Sequence, residues 1–268
     1  MKFAQSNLKD LLTQFLTPSD PSHLVYFSHL AYINSLSSPD TRDASSTSLK
    51  VFNAIGDLQE VALRNKHTGI VSLTMVLELR ELLHGGMWTR LFELLKKTED
   101  HLNISAILEC DPKGRPSTAG TPITAKRTAP SLGSTNLQTV LKIYTLVISI
   151  LFFTYVGDNA NVQIRMKNLH EMLDGGAINA FGESGIVKVD FPDSFASPLE
   201  VQVIHPRILF ALGFLVSSVA KRDPVGRRPK RKLFAHEGIQ SIERELRKEV
   251  SCRSYNSFFL NNFSERAF

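Results

Sequence analysis

The sequence predicts an all-α fold built from antiparallel helix pairs. Three observations carry that expectation. Apolar residues recur at helical spacing through most of the 268 residues. Three consecutive units read as helix, short break, helix. The later helices of those units end in similar wording: LLKKTEDHL, MKNLHEMLD and GIQSIEREL.

The elements follow in order. Leu8, Leu11, Leu12, Phe15 and Leu16 predict an amphipathic helix over 4–16, closed by Thr17-Pro18. A second helix is expected over 22–36, with Leu24, Phe27, Leu30, Ala31 and Ile33 inward. The polar run SSPDTRDASST (37–47) reads as a loop, and Ser48 as the cap of a third helix carrying Leu49, Phe52, Ile55, Leu58 and Ala62.

The first repeating unit is 68–83, the break His84-Gly85-Gly86, then 87–102. The second is 137–156, the break Gly157-Asp158-Asn159, then 160–173. The third is 206–220, a basic loop, then 232–250. In the second break Gly157 supplies a left-handed backbone at a helix end, Asp158 caps the next helix, and Ala160 opens it. That is the turn of a tetratricopeptide-like pair. One pair cannot bury its apolar faces, so pairs stack and leave a groove. The expected architecture is therefore a tetratricopeptide-like α-solenoid with a disordered insertion and a small extended insertion.

The disordered insertion is 111–136, with four prolines, three glycines and many Ser/Thr. The extended insertion lies within 175–205. There Ile186, Val187, Val189 and Phe191 oppose Leu199, Val201 and Val203 across a turn, as a β-hairpin. The division is then 1–110 (N-terminal helices and first pair), 111–136 (linker), 137–250 (two further pairs) and 251–268, an irregular tail.

Composition is that of a globular protein, 43% hydrophobic and 21% charged. Two cysteines, Cys110 and Cys252, are too few for a disulfide framework and fit a reducing compartment. No apolar run follows Lys2, so a signal peptide is not expected. The stretch 137–156 has a single charge, Lys142, and tests solubility. Its uncharged part, 143–156, is diluted by Thr145, Ser149 and Thr154 and falls short of the ~20 apolar residues of a membrane span. It reads as a buried core helix. A membrane-associated protein using 137–156 is the alternative.

Catalytic and metal signatures are not found. The eight histidines are scattered, and His170-Glu171 lacks the second histidine of a zinc-protease motif. No CxxC pair, P-loop or nucleophile elbow occurs. The glycines of 175–185 do not lead from a strand into a helix, so no dinucleotide site is expected. The expectation is no enzyme, no cofactor, no metal and no small-molecule substrate. Trp88, the sole tryptophan, reads as a core residue locking two helices, or as an aromatic anchor for a peptide.

Charge is concentrated. From Lys221 to Lys232 the chain reads KRDPVGRRPKRK, with seven basic residues and one acid against a whole-chain net charge of +5. Lys221, Arg222, Arg227, Arg228, Lys230, Arg231 and Lys232 are candidates for nuclear import or contact with an acidic partner, DNA phosphate included. A solvated connector is the plainer reading. No aromatics interleave the run, so base stacking is not expected. Thr121, followed by Pro122 inside the linker, is the candidate phosphosite.

Three segments, TGIVSLTMVLELRELLHGGMWTRLFELLKKTEDHL (68–102), LKIYTLVISILFFTYVGDNANVQIRMKNLHEMLD (141–174) and HPRILFALGFLVSSVAKRDPVGRRPKRKLFAHEGIQSIEREL (205–246), resemble fungal members of the cohesin-loading factor family. Members of that family are longer superhelices, so the resemblance implies a partial or truncated form. It implies a nuclear, non-enzymatic adaptor whose superhelix wraps an extended segment of the large HEAT-repeat cohesin loader. That complex directs cohesin to chromatin for sister-chromatid cohesion, so contact with DNA is indirect. The alternative from another class is the regulatory helical domain of a fungal transcription factor.

Overall fold

A computed structural model describes residues 2–17, 20–37, 44–105, 136–182, 184–191, 197–221 and 230–249. Among these the chain is mostly helical, with one two-stranded sheet. Helix α1 (Lys2–Asp10) runs into a short π-helical turn (Leu11–Phe15), and α2 (Ser22–Leu36) and α3 (Ala44–Arg64) follow. Then come α4 (Thr68–His84), α5 (Trp88–His101), α6 (Asn136–Val156) and α7 (Asn159–Asp174). A 3₁₀ turn (Ala177–Phe181) leads to β1 (Ile186–Val189) and β2 (Leu199–Gln202). Helices α8 (Pro206–Ala220) and α9 (Lys230–Glu249) close the described chain.

Local chemistry sets the breaks. Gly157 adopts φ +86°, the left-handed conformation that costs glycine nothing. Asp158 then accepts the Asn161 backbone N–H at 3.1 Å, capping α7. Gly86 turns α4 into α5 with φ +65°. The strands pair antiparallel, with Val187 opposite Val201 and Val189 opposite Leu199.

Each helix packs on its chain neighbour: α2 on α3, α3 on α4, α4 on α5, α6 on α7, α8 on α9. The first helices of successive pairs also meet, α4 with α6 and α6 with α8. Helix α6 is therefore central. Val140, Ile143, Leu146 and Ile150 are sealed from solvent. Among the described residues it alone is long and apolar enough to cross a membrane, and 67% of its apolar window is buried in the fold. Tyr144 on α6 accepts the Ile204 backbone N–H at 2.9 Å and so ties the end of the hairpin to the core. Burial pushes the Tyr144 phenol well above its ordinary range, which keeps this acceptor neutral.

Several expected details differ. The third helix begins at Ala44, before Ser48. Its inward stripe is Val51, Ala54, Ile55, Leu58 and Ala62. Leu49 stands about 200° round the helix from Val51 and is exposed. On α2, Leu30 and Ile33 are buried as expected, but Leu24 and Phe27 face solvent and Tyr26 is fully buried. Helix α2 is apolar nearly all round, so its pattern could not select a face. Phe15, the last residue of the π-helical turn, is exposed. The disordered-linker expectation for 111–136 lies outside the described residues apart from Asn136, and the irregular tail 251–268 lies wholly outside them.

Candidate functional site

A concave surface lined by polar, charged and apolar side chains lies at the N-terminal end of the described residues. Helices α1 and α3 both pack on α2. A groove of about 460 Å³ lies along their junction. Lys9, Leu12 and Thr13 form one wall. Lys50, Asn53, Asp57, Glu60 and Arg64 of α3 line the other, and His29 and Tyr32 of α2 lie between them.

The α3 wall follows from sequence spacing. Positions 50, 53, 57, 60 and 64 repeat every three or four residues and so share one helix face. Arg64 and Glu60 pair across one turn at 2.9 Å, both exposed. Among the described residues Lys9, Lys50 and Asp57 form no ion pair. Burial lowers the His29 imidazole pKa, and the Asp57 carboxylate partly opposes this. Burial raises the Tyr32 phenol, and Asp57 adds to the rise. His29 is thus neutral at pH 7 and Tyr32 keeps its proton.

Of the predicted basic residues, the structure describes some. Lys221 directly follows α8, and its Nζ donates to Gln163 Oε1 at 3.3 Å. Lys230, Arg231 and Lys232 open α9, with Arg231 and Lys232 exposed. Arg222, Arg227 and Arg228 lie outside the described residues, and so does Thr121. The first turn of α9 contains no acid. Three cations there oppose the positive end of the helix dipole.

Trp88 is half-buried. It stacks on Tyr155 with ring centroids 3.9 Å apart and an interplanar angle of 13°, and it also meets Phe152. It thereby locks the start of α5 onto the end of α6. Tyr155 is 65% exposed, so the stack reaches the surface.

No protein-family model, curated protein or solved structure matches this chain. Among the described residues no three His, Cys, Asp or Glu side chains gather in a way that could hold a metal ion.

Two histidines meet serine hydroxyls, His101 with Ser72 at 3.0 Å and His170 with Ser217 at 2.7 Å. Both serines are buried and already donate to a backbone carbonyl, Ser72 to Thr68 and Ser217 to Gly213. In each pair the imidazole Nε2–H therefore donates. The serine proton is not offered to the histidine, which is the reverse of an activated nucleophile.

The groove is what sequence reasoning missed. Its only linear signal is the polar stripe on α3, and a solvated helix face gives the same stripe.

Proposed function

We propose that this chain is a non-enzymatic helical-repeat scaffold, a tetratricopeptide-like α-solenoid that holds an extended segment of a larger partner. The pattern of helix contacts supports the repeat reading: each first helix meets its own partner and the first helix of the next pair. The observation that carries the binding reading is the groove between α1 and α3. It is concave, lined by both charges, and long enough for a strand of peptide.

The resemblance of 68–102, 141–174 and 205–246 to the cohesin-loading factor family names the partner. It is the HEAT-repeat cohesin loader, and the setting is cohesin loading in the nucleus. The deciding experiment is calorimetric titration of the purified chain with the N-terminal segment of that loader. Binding that weakens when Tyr32→Ala and Asn53→Arg are introduced together supports the reading. Absence of binding by a folded chain removes the loader as partner.

A second reading takes the basic run Lys221–Lys232 as the contact for an import receptor or an acidic partner. What favours a functional role is charge density: seven of its twelve residues are basic, and Arg231 and Lys232 are exposed where α9 begins.

A further inference from the structure

We propose that the α1–α3 groove selects an extended peptide by a lysine or arginine side chain, seated on Asp57 between the rings of Tyr32 and His29. This rests on the groove being the polypeptide-binding surface and specifies the chemistry it reads.

The argument begins with charge. The groove holds five charged side chains: Lys9, Lys50, Asp57, Glu60 and Arg64. Glu60 and Arg64 satisfy each other. Asp57 has no ion-pair partner among the described residues, and it lines the groove together with His29 and Tyr32 of α2. A carboxylate beside a phenol and a neutral imidazole is the surrounding that an ammonium or guanidinium group favours. The carboxylate supplies the counter-charge and the rings supply their negative faces. An anionic side chain placed there meets like charge. An apolar one leaves the carboxylate without a partner.

Lys9 and Lys50 complete the pattern. Neither is ion-paired among the described residues. Lys50 lies seven residues, about two turns, before Asp57 on the same face of α3. A peptide with a basic residue on Asp57 therefore finds the Lys50 cation further along, where a carboxylate fits. The wall from Lys50 to Arg64 rises about 21 Å, the span of about six extended residues. The ligand class is a short extended segment with a basic side chain at one position and an acidic one about 10 Å away.

The test is a positional-scanning array of acetylated hexapeptides probed with the whole labelled chain. Wild type is expected to enrich Lys and Arg at one position and Asp or Glu about three positions away. Asp57→Asn is expected to lower affinity for the best basic peptide about tenfold, the effect of one lost charge-assisted hydrogen bond. Asp57→Lys is expected to exchange the basic preference for an acidic one. Asp57 is exposed, so both variants are expected to fold, and circular dichroism checks this. Peptide binding without a basic preference, or one that Asp57→Lys leaves unchanged, overturns the inference and leaves the groove reading standing. No binding of any peptide by folded wild type overturns both.

Discussion

Arg165 on α7 holds Glu99 on α5 in a parallel two-bond clamp. Nε donates to Oε1 at 2.9 Å and Nη2 donates to Oε2 at 2.8 Å. Both side chains are less than a tenth exposed. Ser149 of the intervening α6 donates to the same Oε1 at 2.8 Å, Asn161 Oδ1 accepts from Arg165 Nη1 at 2.7 Å, and the guanidinium lies 4.3 Å from the Phe153 ring centre. The clamp joins the second helices of two successive pairs across the first helix of the later one.

Removing one partner leaves a buried charge uncompensated. Glu99→Leu or Arg165→Met alone is expected to cost about 3–5 kcal/mol, read from urea denaturation. The double substitution is expected to regain most of that loss, because an apolar pair removes both desolvation penalties. A double variant as unstable as the sum of the singles would show that the clamp is not one coupled unit.

The cap of α7 leads into the same network. Asp158 accepts from the Asn161 backbone N–H and, at 2.7 Å, from its side-chain amide. The Asn161 hydrogen bonds hold the Asp158 carboxyl below the usual carboxylate range. A lowered carboxylate pKa gives stability that is present above the unfolded value near 3.8 and lost as pH falls through the folded value. Asp158→Ala is expected to cost about 1 kcal/mol at neutral pH. That difference should shrink at strongly acidic pH, as thermal melts of both proteins would reveal.

His170 gives a second pH dependence of the same direction in a different window. Burial lowers its pKa, Lys221 lowers it further, and Asp174 partly opposes. Between its folded value and the ordinary 6.5, the unfolded chain binds more protons, so stability falls as pH drops through that window. His29 acts in the same sense. The Tm of the wild type should fall from about pH 7.5 to about pH 5. His170→Gln, which keeps an N–H donor for Ser217, should flatten part of that fall. An equal slope in the variant would show that His170 does not contribute.

The basic run can be tested by removing its charge. Neutralising Arg227, Arg228, Lys230, Arg231 and Lys232 to Gln should abolish nuclear accumulation of a fluorescent fusion. Stability should hold or rise slightly, by about 0.3–1 kcal/mol for each cation removed from the first turn of α9. An unchanged nuclear signal would remove the import reading.

Much of the helix layout was legible in the sequence. The pairs α4–α5 and α6–α7, the hairpin pairing and the Gly157-Asp158 turn all lie close to where the residues place them. Those features depend on signals a few residues apart, such as a left-handed glycine, a capping carboxylate or a stripe at helical spacing. The face of α2 was legible only in part: Leu30 and Ile33 are buried where their spacing places them, but apolar residues surround the helix and its neighbours chose Tyr26 over Leu24 and Phe27. Neither the clamp, whose partners stand 66 residues apart, nor the groove, whose three helices contribute ordinary polar residues, was legible. By itself the chain determined its helices, its breaks and a concentrated basic run, since backbone propensity and capping act locally. Only tertiary packing decided which charges were buried together and which were left unpaired beside a cleft, because Coulomb interaction and desolvation act through space rather than along the chain.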